Sequence, residues 1–224
     1  MPLLPGTPEV EITLRRSPRA RRFSLRVSRL DGRVTLSLPT RAREADALAF
    51  AAGQEAWIRR ALEGVAPGAA VNFGTVLPVG GQALTIRQGV GRIRVEGDSL
   101  LVSGDPGPKV QAWLKTLARD RLAAASDRHA ARIGRRYARI TLRDTRSRWG
   151  SCTADGGLMY NWRLILAPPE VLDYVAAHEV AHLAEMNHSP AFWAVVAGLM
   201  PDYAPRRAWL RREGGSLHAW RFTC

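Results

Sequence analysis

Short runs in the first hundred residues alternate apolar and polar side chains with a period of two. Such alternation predicts half-buried β-strands. The predicted strands cover residues 10–14, 23–27, 34–38, 84–88, 93–96 and 100–103. The segment Leu30-Asp31-Gly32-Arg33 separates the second of these strands from the third. Because an Asp-Gly pair readily adopts a positive φ, this segment predicts a hairpin turn.

Elsewhere the apolar side chains recur near every third or fourth position, which predicts helices. The predicted helices cover residues 41–62, 109–133, 169–184, 190–199 and 204–212. Between the second and third of these helices, residues 139–143 and 157–166 are predicted strands. The turn Asp155-Gly156-Gly157 at this point predicts an antiparallel pair.

A Gly-Asp-Pro-Gly-Pro segment at residues 104–108 is the clearest break in these patterns. We therefore predict an α+β protein with a boundary between residues 104 and 105. The first part, residues 1–104, is a β-rich N-terminal region with one helix. The second part, residues 105–224, is the expected catalytic domain, because the chemical motifs fall within it.

Composition restricts the kind of protein. The chain has 224 residues, of which 46% are hydrophobic, so it can bury a substantial core. No apolar run of about 18 residues occurs, so no membrane-spanning helix is expected. Residues 1–10 lack the basic and apolar parts of a secretory signal. The two cysteines, Cys152 and Cys224, form no disulfide framework, and together these features predict a cytoplasmic protein.

The net charge of +13 permits binding to nucleic acid, nucleotides or other anions. Almost all of the positive charge is arginine, since Lys109 and Lys115 are the only lysines. These arginines are scattered along the chain rather than interleaved with aromatic residues in one stripe. The charge therefore does not predict a sequence-specific reader of nucleic acid.

The segment His178-Glu179-Val180-Ala181-His182 carries the chemistry that the sequence indicates most clearly. Residues four apart lie on the same face of a helix, so both imidazoles can reach one metal ion. Glu179 lies one position round the helix, where it can meet a metal-bound water instead of the metal. This is the HExxH pattern of zinc hydrolases.

A catalytic zinc ion usually has three protein ligands, and His188 is the predicted third. It lies six residues after His182, so the chain must turn before it. Asn187 tolerates the left-handed geometry of such a turn, and Ser189-Pro190 predicts the start of the next helix. This spacing matches the zinc pattern of metzincins, although Glu185 stands where metzincins have glycine.

The ligands predict a mechanism. One Zn²⁺ ion would acidify water, and Glu179 would accept its proton and pass it to the leaving group. A further donor should stabilise the developing oxyanion, and the candidates are Tyr203, Arg148 and Arg146. Cys152 has no neighbouring base in the sequence, so we interpret it as a small buried residue rather than a nucleophile.

Further motifs make the chain resemble a known family. They are Ser-Arg-Trp-Gly-Ser-Cys at 147–152, Tyr-Asn-Trp-Arg-Leu at 160–164, Asn-His-Ser at 187–189 and Phe-Trp at 192–193. With the HExxH segment, they occur in the order and spacing of the YgjP-like metal-dependent hydrolases, which are related to the SprT-like and WLM metallopeptidases. The resemblance covers most of the chain.

The resemblance implies a zincin-like core, in which a small antiparallel sheet packs on the HExxH helix. It implies metal ligands at His178, His182 and His188, with Glu179 as the base. From the residues themselves, two roles are open for segments 148–152 and 160–164: they form the opposite wall of the cleft, or Trp149 and Trp162 are core aromatics. The resemblance does not fix the substrate, because a nucleotide-hydrolysing role has also been attached to the family.

Three functions remain open at this stage. The first is a zinc metallopeptidase that cleaves a peptide or protein substrate. The second is a metal-dependent nucleoside triphosphate pyrophosphohydrolase, in which Arg146 and Arg148 would grip phosphate oxygens. The third is a nucleic-acid-associated protein or protease module that uses the basic surface. The three neutral imidazoles favour zinc and peptide hydrolysis, since magnesium sites on phosphates normally use carboxylates.

Overall fold

A computed structural model describes residues 2–4, 9–28, 32–63 and 68–222. The chain divides into two compact units, Met1–Gly68 and Ala69–Cys224. Among the described residues, no helix combines the length and the apolar character that crossing a membrane requires. Leu30 and Asp31 of the predicted hairpin, and Cys224, lie outside the described residues.

The first unit is a four-stranded sheet with two helices. Its elements are β1 (Leu3–Leu4), β2 (Val10–Ser17), β3 (Ser24–Val27), β4 (Val34–Pro39), α1 (Glu44–Gly53) and α2 (Glu55–Glu63). The strand order is β1-β2-β4-β3, with β2 parallel to β4 and β3 antiparallel to it. Ile12, Leu36 and Ile58 are fully buried in the core of this unit.

The single helix predicted over residues 41–62 is two helices. Helix α1 ends at Gly53, and Gln54 follows with φ −107° and ψ 15°, outside the helical region. Glycine is a poor helix former, and α2 starts again at Glu55, whose carboxylate pairs with Arg59 at 2.7 Å. Apolar spacing continues across the break, so periodicity alone did not reveal it.

The second unit contains the remaining elements. Its first part has β5 (Ala69–Ala70), β6 (Val76–Val79), β7 (Gln82–Gln88), β8 (Arg94–Glu96), β9 (Ser99–Val102) and α3 (Pro106–Arg132). Its second part has β10 (Arg139–Arg143), β11 (Gly150–Cys152), β12 (Gly157–Asn161), a 3-10 helix (Trp162–Leu166), α4 (Pro169–Ala181), α5 (Pro190–Leu199), α6 (Tyr203–Glu213), a second 3-10 helix (Gly214–His218) and β13 (Trp220–Arg221).

The division at residue 68 falls earlier than the boundary predicted between residues 104 and 105. Strands β6 to β9 form one sheet in the order β6-β7-β9-β8. Their side chains Ile86 and Leu100 are fully buried in the same core as Leu114 of α3 and Phe192 of α5. Since an apolar core defines a compact unit, these strands belong with the helices that follow them.

A three-stranded sheet stands beside helix α4, in the order β10-β12-β11. Strands β11 and β12 pair antiparallel across a turn at residues 153–156. Strand β10, however, runs parallel to β12, so the antiparallel pair predicted for residues 139–143 and 157–166 is wrong and the sheet is mixed. The strand predicted over residues 157–166 ends at Asn161, whose side chain accepts a hydrogen bond from the backbone N–H of Arg163 and so starts a 3-10 helix.

Arg163 ties this region to the end of the chain. Its guanidinium is largely buried and donates to both carboxylate oxygens of Asp144, at 2.7 and 3.2 Å. It also donates to the carbonyl oxygens of Leu217 and Trp220, at 3.1 and 3.0 Å. The same group lies 4.8 Å from the ring centre of Trp162. A buried charge of this kind is stable only because its donors are satisfied.

Candidate metal centre

Helix α4 presents the first two histidines. It begins at Pro169. Proline has no backbone N–H, but an N–H in the first turn has no acceptor within the helix, so no helical hydrogen bond is lost. The four-residue spacing brings His178 and His182 to one face, with ring centres 5.2 Å apart. His182 is the residue that ends the helix and retains helical angles, φ −65° and ψ −17°. The HExxH pattern therefore lies in the last turns of this helix.

The turn after α4 is built without left-handed residues. No non-glycine residue in the described part of the chain has a positive φ, so the left-handed geometry expected at Asn187 is not adopted. Instead the Asn187 side chain accepts a hydrogen bond from the backbone N–H of Ser189 at 3.0 Å. Ser189 then caps α5 by accepting from the N–H of Phe192, as predicted. Because Glu185 is also not left-handed, glycine is not required where metzincins have it.

The backbone of Glu185 contacts one of the histidines. Its carbonyl oxygen lies 3.0 Å from Nδ1 of His182. A carbonyl can only accept, so Nδ1 carries the proton and Nε2 keeps its lone pair. Hydrogen bonds of this kind fix the tautomer and the ring orientation of metal-binding histidines. HExxH spacing gives no sign of this contact, so the sequence analysis missed it.

The three imidazoles converge. The candidate ligand atoms of His178, His182 and His188 all lie within 4.8 Å of one another. The Nε2 atoms of His178 and His188 are 3.1 Å apart. Ligands at the usual zinc–nitrogen distance in a tetrahedral site are separated by about 3.3 Å, so this spacing fits a small divalent ion. The third ring, on the exposed turn, thus faces the other two.

The protein keeps the helical imidazoles neutral. Burial lowers the pKa of His178 to about 3, and the neighbouring His182 and His188 and the guanidinium of Arg207 contribute further. Burial also lowers the pKa of His182, against the opposing effect of its hydrogen bond to Glu185. Neutral imidazole nitrogens are the form that binds a metal, so His178 and His182 are held in the form that binds a divalent cation.

Aromatic side chains of α5 hold the rings in place. Phe192 stacks on His182 with ring centres 4.4 Å apart and meets His178 edge-on at 4.9 Å. Trp193 stacks on His188 at 5.9 Å. The guanidinium of Arg207 also lies against Trp193, 4.4 Å from the ring centre. The Phe-Trp motif therefore positions the three imidazoles by packing.

Glu179 is buried against strand β11. A Cβ atom built on Gly150 would lie 2.5 Å from Oε1 of Glu179 and 2.6 Å from its Cγ, so a larger residue would displace the Glu179 side chain. Burial raises the pKa of Glu179 to about 8, and the positive charge of Arg148 acts in the opposite direction. A bound cation would also favour the ionised carboxylate.

A cleft of about 450 Å³ opens over these groups. It is lined by Ser147, Arg148, Gly150, Ser151, Cys152, His178, Glu179, His182, Met186 and His188. Part of the wall predicted from residues 148–152 therefore does face the histidines. Residues 160–164 are buried instead, with Tyr160 and Trp162 in the core. Met186 was not predicted, because nothing in its sequence context distinguishes it from an ordinary turn residue.

The candidate oxyanion donors occupy different places. Arg148 lines the cleft and acts electrostatically on Glu179. Tyr203 is not among the cleft-lining residues; its ring stacks on Tyr174 at 6.3 Å and on Trp193 at 5.4 Å. Arg146 is exposed and also does not line the cleft.

Cys152 and the two remaining histidines do not have the surroundings of reactive groups. Burial, with Glu179 and Asp155 contributing, raises the pKa of the Cys152 thiol to about 11. A protonated thiol is a poor nucleophile. His129 is buried and bonded to Asp173 at 3.1 Å, and His218 packs on Trp149 at 5.1 Å, so both have structural surroundings.

Comparisons with known proteins identify the family of this chain. A family model described as "YgjP-like, metallopeptidase domain" matches residues 21–213. No curated protein matches the chain. Among solved structures, the chain is similar to the metallopeptidase zymogen abylysin of Pyrococcus abyssi, with 16% identity and a TM-score of 0.38 over 42% of this chain and 95% of that one. Since the family model spans most of the sequence, this chain belongs to the YgjP-like metallopeptidase family, whose name implies peptide hydrolysis with a divalent metal.

Proposed function

We propose that this protein is a zinc-dependent peptidase in which Glu179 is the general base. The observation that carries the proposal is the convergence of three imidazole nitrogens within 4.8 Å of one another, beside a buried carboxylate, in an open cleft. Each part alone is common in proteins. Together they are what metal-assisted hydrolysis requires: a cation site, a base and access for a substrate.

Zinc is the metal that the donor set favours. Three neutral imidazoles are borderline-soft ligands that carry no charge, which suits Zn²⁺ better than Mg²⁺ or Ca²⁺. His178, His182 and His188 would hold the ion. When bound, zinc supplies Lewis acidity, which lowers the pKa of water and polarises a carbonyl oxygen.

Glu179 would move the proton. Glu179 lines the cleft, and its carboxylate is packed beside Gly150 of strand β11. In this role Oε1 or Oε2 accepts a proton from the attacking water and later delivers it to the amine that leaves. Burial favours holding that proton between the two steps, and the positive charge of Arg148 favours its release.

Strand β11 would bind the substrate. Among the described residues it pairs with β12 on one side only, so it is an edge strand, and its residues Gly150, Ser151 and Cys152 all line the cleft. An extended peptide can add to such an edge through main-chain hydrogen bonds, which bind any sequence. Pairing of this kind would hold a peptide bond beside Glu179.

Arg148 is our candidate for the oxyanion donor. A guanidinium presents several N–H donors and stays charged at any physiological pH. Because Arg148 lines the cleft and Tyr203 does not, Arg148 is the better placed of the two. We assign Tyr203 a supporting role through its stacking on Trp193.

Metal analysis and peptide cleavage test the proposal together. Purified wild-type protein should contain one zinc ion per chain, and His188→Ala should lose it. Glu185→Gln, in the same turn, is the matched control and should retain the ion, because Glu185 contacts His182 through its backbone carbonyl. Glu179→Gln should retain zinc but lose hydrolysis of an unfolded polypeptide, whereas Glu170→Gln in the first turn of the same helix should retain both. If zinc-loaded Glu179→Gln had wild-type activity, Glu179 would not be the general base.

Hydrolysis of nucleoside triphosphates is the second candidate, and the guanidinium of Arg148 in the cleft favours it, since arginine binds phosphate well. The two candidates separate in parallel assays on unfolded polypeptide and on nucleoside triphosphates, each with metal-depleted protein as the control. Release of pyrophosphate without peptide cleavage would replace the first proposal by the second.

A further inference from the structure

A second cavity of about 540 Å³ adjoins the metal cleft. The two share His182 and Met186 in their walls, so a chain lying in the cleft can continue past these residues. One wall of the second cavity is the segment that follows helix α3, including Arg135 and Arg136. The opposite wall is the turn between β11 and β12 at residues 153–156.

Helix α3 ends in a way that fixes the first wall. Gly134 has a φ of 62°, and its N–H donates to the carbonyl of Ala131 while that of Arg135 donates to the carbonyl of Ala130. This pair of hydrogen bonds is the Schellman motif, which ends a helix with a defined change of direction. Arg135 and Arg136 are therefore presented by ordered backbone.

The opposite wall is also ordered, and the two walls are joined. The N–H of Gly156 donates to the carbonyl of Thr153 at 2.8 Å, and the N–H of Ala138 donates to the carbonyl of Gly156 at 2.8 Å. The cavity is thus bounded on both sides by hydrogen-bonded turns. A cavity between fixed walls can select a ligand, because little ordering is required when it binds.

The electrostatics of this cavity are positive. Within the part of the chain that the structure describes, neither Arg135 nor Arg136 pairs with a carboxylate. The cavity contains one acidic side chain, Asp155, and it is already engaged by Arg139 at 2.9 Å and by the hydroxyl of Thr153. The lining of the cavity therefore includes two arginines without a carboxylate partner of their own.

We infer that this cavity is a substrate subsite that binds a carboxylate of the peptide, held by Arg135 and Arg136. The inference rests on the proposed peptidase function and specifies its substrate class: peptides with an acidic group a short distance from the bond that is cleaved. The carboxylate comes either from an Asp or Glu side chain or from the free C-terminus of the peptide. Arginine forks match carboxylates in either setting.

Peptide binding to the zinc-loaded Glu179→Gln variant tests the subsite without turnover. The probes are fluorescent decapeptides of neutral sequence in which one Glu is moved along the chain, each paired with the Gln peptide, and each made with a free or an amidated C-terminus. When the Glu occupies one particular position of the decapeptide, that peptide should bind about tenfold more tightly than its Gln counterpart. If the C-terminus is the source, amidation should cause the same loss at every Glu position.

Two variants made in the same background identify the residues. In the double variant Arg135→Ala/Arg136→Ala the preference should disappear, so that the Glu and Gln peptides bind equally well. In the double variant Arg135→Glu/Arg136→Glu a peptide with Lys at the same position should become the preferred ligand. Arg119→Ala removes one exposed charge from α3, about 20 Å along the chain from Arg135, and should keep the preference. Both arginines are exposed, so their replacement should leave the core intact. Circular dichroism can verify that the variants fold.

A preference that survives in the double alanine variant would overturn the inference, as would equal binding of all the peptides. Cleavage by the wild-type enzyme is scored separately. An arginine-dependent carboxylate preference without cleavage would reject the peptidase and keep the subsite. Cleavage without the preference would reject the subsite and keep the peptidase.

Discussion

Replacement of Gly150 by alanine should separate metal binding from catalysis. The new methyl group would lie 2.5 Å from Oε1 of Glu179, whereas ordinary contacts begin at 3.4 Å. The carboxylate would therefore have to move by about 0.9 Å, and a misplacement of about 1 Å can reduce turnover by about 10²-fold. Because Glu179 is buried, the overpacking should also reduce the free energy of unfolding by about 1–3 kcal/mol.

The assay compares kcat for peptide hydrolysis, zinc content and thermal unfolding of wild type and Gly150→Ala. We expect a large loss of kcat with one zinc still bound, because the nearest atoms that the methyl group meets are those of Glu179 and not of the imidazoles. Gly198→Ala is the matched control, since nothing lies within 4 Å of a Cβ at that position. A Gly150→Ala enzyme with wild-type kcat would refute the assignment of Glu179 as a base positioned by strand β11.

Three further predictions concern stability. Arg163→Lys should reduce the free energy of unfolding by about 2 kcal/mol in denaturant titrations, because lysine cannot replace the fork of buried hydrogen bonds; no loss would contradict it. Asp173 is partly buried, which opposes ionisation, but hydrogen bonds and charges from His129 and Arg128 outweigh this and lower its pKa. Its contribution should therefore be present above the unfolded pKa of about 4 and be lost as pH falls through the lowered value. Asp173→Asn should thus be less stable than wild type at pH 7, and the difference should shrink under acid; a constant difference would contradict this. Chelation should lower the melting temperature, and zinc should restore it in wild type but not in His188→Ala.

The helices that bear the site could be predicted from the sequence because their signals are local. Helical spacing placed two imidazoles on one face, and Ser189-Pro190 marked the start of the next helix, where the serine does cap α5. Proline and apolar periodicity act within a few residues of where they occur. Such signals need no knowledge of what lies across the core.

The break in the first long predicted helix shows the limit of these local signals. Residues 41–62 keep an apolar spacing, yet the chain leaves the helix at Gln54. Similarly, apolar residues continue from 157 to 166, yet the strand ends at Asn161 because a side-chain hydrogen bond starts a 3-10 helix. Periodicity reports burial, and a buried residue can belong to either conformation.

The sequence by itself determined that three histidines and a glutamate were available, and how two of those histidines are spaced on a helix. Only the tertiary structure decided that β10 runs parallel to β12, that Gly150 lies against Glu179, and that β6 to β9 share a core with the helices. The physical reason is how far apart along the chain the interacting residues lie. Spacing on one helix follows from backbone geometry, whereas strand pairing and close packing depend on residues far apart in the chain, whose contacts exist only once the whole core has formed.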